Sequence, residues 1–444
     1  MVFRGREKVA TVMHSRRTLL RTGCAVGLLS VAGCAAPRAG LTGHRRNAGV
    51  PDPADPSYRE WLPAAEETDA IDQDVPIRYV DVERALERGN TLSRGVAGSL
   101  FEFWAVGDWF GHELAALDGI LVRSDSPLTV IYAGDISRPD ARDELEESGY
   151  EHLEGDAPWS VFVRWDQPRL IGVSEAGVVQ TSIDAAVDEP LDGALERVGT
   201  FLETKAGNRT RRHESDDVFE RLTDRLGAGI RTTVPLTPPP WLPDGGRWGT
   251  AIDGTDDGSV RRATAVVPAN GDASPGETAD ARETDGGSIE DDLAEHIGEA
   301  WSGDPSVYTA SSTVEGSVRR APDEAPTSID ELVPPRVTIE FEYDDDESAG
   351  IVSHRTGTPL ETDRLTVAVD GQTGESLALS GETFEAGDRF AIRGLPATAL
   401  VSLGYDLTDV TAVTIASFVG PGQPADGEEP ESEPEPEPDP LDTE

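Results

Sequence analysis

The chain has 444 residues, with 84 acidic against 38 basic and a formal net charge of −46. That length exceeds what one hydrophobic core usually supports, so two or three domains are expected. The charge argues against a nucleic-acid-binding face, which needs basic side chains gathered against phosphates, and two cysteines, Cys24 and Cys34, provide no cysteine-rich metal spacing.

In chain order the first informative stretch is "SRRTLLRTGCAVGLLSVAGC", residues 15–34. Arg16 and Arg17 precede a weakly apolar run from Ala25 to Ala32, too short for a bilayer that needs about 20 apolar residues. A cationic start, a short apolar run and small residues before a cleavage point are the features of an export signal, and the paired arginines mark the route for folded proteins. Val31, Ala32, Gly33 and Cys34 form a lipobox pattern. Residues 13–34 thus resemble the twin-arginine lipoprotein signals of haloarchaeal secreted proteins, with Met13 a more natural start than Met1.

That resemblance implies cleavage at Cys34, a lipid on its thiol, and the extracytoplasmic face of the membrane as location. Two hydrocarbon chains, at about 0.8 kcal/mol per buried methylene, hold a protein stably where one is marginal. The acidic balance, with Lys8 and Lys205 the only lysines, also resembles proteins of extreme halophiles. At molar salt the Debye length falls to about 3 Å, so dense carboxylates keep a surface hydrated while their repulsion is screened.

Residues 35–76 carry proline, glycine and charge without an apolar period and are expected to be a flexible tether. From "IRYVDVERAL" to residue 325 the pattern predicts an α+β domain, with an antiparallel sheet covered by helices on one face. Phe103, Trp104, Phe110 and Leu114 predict an aromatic cluster in a helix or turn. "LTVIYAGD", "WSVFVRWD", "RLIGVSEAG" and "GVVQTSI" are expected strands. "SRPDARDELEESGY" is an expected helix, with Ser137 at its cap, Pro139 in its first turn and Gly149 at its end. "LDGALERVGTFLETKAG" and "SDDVFERLTDRLGAG" predict two amphipathic helices, each stopped by glycine.

A hairpin ("RWGTAIDG", "SVRRATAVV"), a helix ("SIEDDLAEHIGEAW") and two strands ("SVYTASSTVEG", "SVRRAP") follow, which suggests a degenerate repeat of one unit. The polar stretch at 268–287 is expected to be a disordered loop. The α+β region resembles uncharacterised secreted lipoproteins of haloarchaea in general pattern, a resemblance that brings no activity with it.

From Pro335 short strands alternate with Gly, Asp and Thr turns, which predicts a small all-β sandwich over 335–418. Val337, Ile339, Phe341 and Tyr343 alternate in period two, so one face of that strand is apolar. The motifs "FEYDDD", "VSHRTGTPL", "DRLTVAVDG" and "FEAGDRFAI" resemble the soluble β-domain of haloarchaeal type IV pilins. A pilin carries a peptidase site and a long hydrophobic helix directly before this domain, and neither precedes Pro335, so the resemblance implies fold and surface display alone. Residues 419–444, alternating Pro and Glu, read as an extended solvated tail.

Few residues offer chemistry. Asp108, His112, Glu113 and Asp118 in "GDWFGHELAALDG" are the candidates for a metal or hydrolytic site, but the histidine pair of a helical zinc motif and a glycine-flanked nucleophile serine are missing. His213 lies among arginines and acids, and His354 is expected to make a structural hydrogen bond at a strand-to-turn junction. Asn208 begins the single "NRT" glycosylation acceptor. The expectation is a non-enzymatic, membrane-anchored surface lipoprotein without catalytic residues, metal or cofactor, with envelope or other surface proteins as partners. The rival readings are a solute-binding lipoprotein of a transporter and a secreted hydrolase.

Overall fold

The computed structural model of the chain describes residues 52–65, 75–105, 107–123, 127–155, 157–183, 190–235, 237, 239–256, 258–267, 288–301, 305–310, 312–320, 328–373, 381–408 and 411–419. Arg16, Arg17, Cys34, the loop at 268–287 and the tail from 420 onward lie outside the described residues.

Twelve strands form one antiparallel sheet. They are β1 (Ile77–Asp81), β2 (Leu117–Arg123), β3 (Thr129–Gly134), β4 (Glu151–Leu153), β5 (Ser160–Arg164), β6 (Arg169–Ser174), β7 (Gly177–Ser182), β8 (Arg231–Val234), β9 (Arg247–Thr255), β10 (Gly258–Val266), β11 (Ser306–Ala310) and β12 (Thr313–Arg320). Their spatial order is β11-β12-β10-β9-β8-β1-β2-β3-β7-β6-β5-β4. The helices of this body are α1 (Val82–Arg88), α2 (Arg94–Gly98), α3 (Glu102–Ala105), α4 (Arg138–Glu147), α5 (Pro190–Ala206), α6 (Arg212–Ser215), α7 (Asp217–Leu226) and α8 (Ile289–Trp301).

The expected α+β class with antiparallel sheets is the one observed. The helices, however, cover both faces of the sheet rather than one. Ile120, Val122, Ile171 and Val173 pack on one face against Ala85, Trp104, Ala141 and Leu145 of α1, α3 and α4. Their strand neighbours Leu121 and Leu170 pack on the other against Val198, Phe201, Phe219 and Leu222 of α5 and α7. The physical reason lies in the strands: β7 and β10 are buried along most of their length, the pattern of strands covered on both sides. Gly172 shows how close the second layer comes, since a Cβ there would collide with Val198 of α5.

Both amphipathic helices end at glycines with positive φ, Gly207 at 77° and Gly227 at 60°, where a Cβ is unfavourable. The suggested repeat has a structural counterpart. In one half the β2–β3 hairpin, α4 and a returning meander place β7 beside β3; in the other the β9–β10 hairpin, α8 and β11–β12 place β12 beside β10. β1 and β8 lead into the two halves and pair antiparallel with each other, so the strand order runs outward from that pair in a similar sequence on either side. β11 ends at Ala310 and β12 begins at Thr313, so the two expected strands do not divide at Gly316. Gly316 sits mid-strand because a Cβ there would lie 2.6 Å from Ile297 Cδ1 of α8.

The tether expectation fails for residues 52–65. Tyr58 and Trp61, in a 3-10 turn over Ser57–Trp61, are 1% and 2% exposed and belong to the second-face core with Leu62. Burial of such side chains is worth on the order of 2 kcal/mol each, enough to hold a proline-rich segment against the sheet. The body also runs past 325: Ile329 and Leu332 are buried in the first-face core.

The C-terminal module is the expected small all-β unit. Its strands are β13 (Val337–Asp344), β14 (Ala349–Gly357), β15 (Leu360–Glu361), β16 (Leu365–Val369), β17 (Gln372–Thr373), β18 (Thr383–Phe384), β19 (Arg389–Arg393), β20 (Leu400–Thr408) and β21 (Thr411–Val419). Sheets β13-β14-β19 and β17-β16-β20-β21 enclose one core, with the β15-β18 pair beside them. Val337 and Ile339 enter that core, while Phe341 and Tyr343 pack at its edge. Ala105 of α3 joins the same core and docks the module on the body.

Candidate functional site

A cluster of buried charged and polar groups gathers where the β-module meets the α+β body. Asp108, in the loop after α3, is 3% exposed. Its Oδ1 lies 2.8 Å from Arg169 Nη1 and 3.4 Å from Arg164 Nη1, and the Tyr150 hydroxyl donates to its Oδ2 at 2.5 Å. Burial alone would raise the Asp108 pKa, but Arg169, Arg164 and the Tyr150 hydroxyl together hold it below the usual carboxylate value. Burial and then the Asp108 charge push the Tyr150 phenol well up. Asp108 is therefore a fixed anion and Tyr150 a fixed neutral donor, an arrangement that holds structure rather than moves protons.

The two arginines sit at the ends of β5 and β6, next to the four-residue turn joining them. Arg164 grips Asp166 with Nε at 2.8 Å and Nη2 at 2.6 Å, and its Nη2 also donates to the Ile339 carbonyl of β13 at 2.9 Å. Gln167 donates to the same carbonyl at 3.2 Å. The turn is thereby fixed to the module's first strand. A bulge between Thr338 and Ile339 places Thr338 for a second set of bonds: its hydroxyl accepts from Trp109 N–H at 3.0 Å and meets Ser148 Oγ at 3.0 Å, while Ser148 Oγ also meets Thr356 Oγ1 at 2.7 Å.

Arg336, just before β13, completes the junction. It is 1% exposed, its Nε donates to the Asp108 carbonyl at 2.7 Å, and its guanidinium carbon lies 4.1 Å from the Tyr132 ring centroid and 4.3 Å from those of Trp104 and Phe110. Its Nη groups are surrounded by three ring faces and the Tyr132 hydroxyl. Burial pushes its pKa down from the ordinary arginine value.

Beside this network a cleft of about 650 Å³ opens between module and body, lined by Asp166, Gln167, Arg169, Phe341, Tyr343 and Phe418 among others. Phe341 of β13 and Phe418 of β21 stack with centroids 5.0 Å apart and planes at 14°, which joins the two module sheets. Trp165 in the β5–β6 turn is 53% exposed.

The residues singled out from sequence do not converge on one another. His112 accepts from Ser137 N–H at Nε2 (3.2 Å), so Nδ1 carries the proton and donates to the Phe110 carbonyl at 3.1 Å, and both ring nitrogens are taken by backbone. Glu113 and Asp118 are exposed. His213 is half-buried in α6, its pKa lowered by burial and then by Arg59. His354 makes the expected structural bond, donating from Nε2 to the Thr358 carbonyl at 3.1 Å just past the end of β14, with burial pushing its pKa down. Asn208 is exposed in the turn after α5. Among the described residues no group of three or more His, Cys, Asp or Glu is placed to hold a metal ion. Arg164, Arg169, Tyr150 and Arg336 were missed from sequence; arginine at the end of an apolar strand, as in "WSVFVRWD", is the one signal available for them.

No family model matches the chain, and no match is found among curated proteins. Among solved structures, crystal form III of TP0453 aligns over 60% of this chain and 94% of that chain, with 8% identity and a TM-score of 0.32. Crystal form IV of TP0453 aligns over 64% and 97%, with 7% identity and a TM-score of 0.31.

Proposed function

We propose that the protein is an extracytoplasmic lipoprotein of a halophilic archaeon, anchored to the membrane at Cys34, non-enzymatic, and working by contact with envelope or other surface proteins. The observation that carries this reading is the order of the arginine pair Arg16–Arg17, the apolar run and the lipobox ending at Cys34. The interior supports the non-enzymatic part, because Asp108 and Tyr150, both shifted in pKa, are held by structural partners. The junction network supports the contact part, since a module pinned by Arg164, Gln167, Ser148 and Arg336 presents its surface in a fixed orientation.

A second reading, ligand capture for a transporter, is favoured by the cleft lined by Arg169, Phe341 and Phe418. Against it stands the single antiparallel sheet, where that class usually has two doubly wound lobes. Photo-crosslinking from position 165, the exposed tryptophan beside the cleft, in intact cells at native salt separates the two. Envelope or surface-layer proteins attached at that position are the expected products. Adducts confined to permease subunits overturn the contact reading in favour of transport.

A further inference from the structure

The first face of the large sheet carries a polar strip between its two helical covers. Directly opposed residues of an antiparallel pair share a face, and the register places Val80, Arg231, Ile252, Arg261 and Val318 in one row across β1, β8, β9, β10 and β12. The adjoining row holds Arg78, Thr233, Thr250 and Ala263. On one side α1 to α3 pack with Val80 and Ile252. On the other α8 packs on Ala263, Ala265 and Val314.

Within the strip three guanidinium groups face one carboxylate. Arg78 Nη1 pairs with Glu102 Oε1 at 3.1 Å, and Arg231 Nη1 donates to Ser99 Oγ at 2.8 Å. Ser99 passes its own proton to the Val96 carbonyl, so it can only accept from the arginine. Arg261 is half-buried and has no hydrogen bond or ion pair among the described residues. Its neighbour Arg262, on the opposite face, shows what a structural arginine looks like in this sheet: 3% exposed, with Nε on Asp253 at 2.9 Å and Nη1 on the Leu226 carbonyl at 2.7 Å.

Like charges half-buried together are unfavourable unless something neutralises them, and in a chain with 84 acidic residues it takes placement to set three arginines against the one carboxylate of Glu102. Arg231 and Arg261 stand two strand spacings apart, about 10 Å between Cα atoms, on either side of Ile252. Guanidinium forks match the oxygens of tetrahedral anions. Thr233 and Thr250 add hydroxyl donors on the same face.

We propose that this strip binds a tetrahedral oxyanion, a phosphate or sulfate group, between Arg231 and Arg261, with Arg78 and the Thr233 and Thr250 hydroxyls around it. Burial and then repulsion push the arginine pKa values down, that of Arg261 through Arg231 and that of Arg231 through Arg78 against a partial offset from Glu102, which leaves the pair short of negative charge.

The test is calorimetric titration of the full-length chain in molar potassium chloride with inorganic phosphate, inorganic sulfate and glucose 6-phosphate; half-buried charges are screened less by salt than exposed ones. Saturable binding is expected, weakened at least tenfold in Arg261→Gln and in Arg231→Gln. The ligand-free melting temperature of Arg261→Gln is expected at or above the parent's, because a repulsion is removed, which also shows that the variant folds. Tighter binding of glucose 6-phosphate than of phosphate assigns the site to a phosphorylated ligand, and equal or weaker binding assigns it to the free anion. No saturable binding, or equal affinity in parent and variants, overturns the proposal.

Discussion

Replacing Arg336 with alanine is expected to lower stability by about 3–5 kcal/mol, the range for deleting a large fully buried side chain, and to split unfolding into two transitions. The guanidinium fills the box between Trp104, Phe110 and Tyr132, whose rings meet near edge-on or tilted, and it ties the strand entering the β-module to the backbone of Asp108. Desolvated cation–π contacts are worth about 2 kcal/mol, and the alanine variant loses them together with the packing. Arg336→Met keeps most of the volume and is expected to cost about 1–3 kcal/mol, the range for leaving the Asp108 carbonyl without its donor. Denaturant unfolding followed by tryptophan fluorescence and by circular dichroism reads both effects. A single coincident transition within 1 kcal/mol of the parent for Arg336→Ala, a change smaller than most core deletions, means that the box does not join the two units.

Asp108→Asn is expected to cost about 3–5 kcal/mol at neutral pH, because it leaves the buried cations Arg164 and Arg169 without their anion while keeping the side chain's shape. The effect depends on pH in a defined direction. Because the folded pKa of Asp108 lies below the unfolded value of about 3.9, the carboxylate's contribution is fully present above that value. It is lost as pH falls through the folded pKa. The stability gap between parent and variant is therefore expected to stay level from about pH 8 to 5 and to close below about pH 4. Unfolding curves across that range check it, and a gap that widens with acid contradicts the assignment of Asp108 as a clamped anion.

The same residue shows how far sequence reading reaches. Asp108 stood out because an acid beside an aromatic cluster and a histidine suggests chemistry. Its real partners lie 42 to 61 positions further on at Tyr150, Arg164 and Arg169, and nothing local indicates which acid a distant strand-end arginine will meet. Local signals served better. The glycine stops of α4, α5 and α7 and the strands β3, β5, β6 and β7 follow from periodicity, proline and glycine, whereas Ser137 stands at the N-cap of α4 without a side-chain capping bond. β2 and β8 were missed: β2 follows an aromatic stretch read as helix or turn, and β8 has only four residues, "RTTV".

The second helical layer was hidden for a different reason. Strands buried on both sides lose the alternation that reveals a face, so β7 and β10 carry no mark of which helices cover them. Tyr58 and Trp61 were absorbed into an expected tether because proline and charge dominate their surroundings, although two aromatics within four positions are an anchoring signal in themselves. "SVRRATAVV" holds a finer one. Consecutive arginines in a strand must point to opposite faces, so Arg261 and Arg262 cannot share a role, and the structure gives one to Asp253 and the other to the polar strip.

The proposed location outside the cell rests on residues at the amino-terminal end, and intact-mass analysis of the protein purified from the membrane fraction of native cells tests it most directly. The expected species begins at Cys34 and carries lipid mass on that residue. A full-length polypeptide in the cytosolic fraction with an unmodified Cys34 contradicts it.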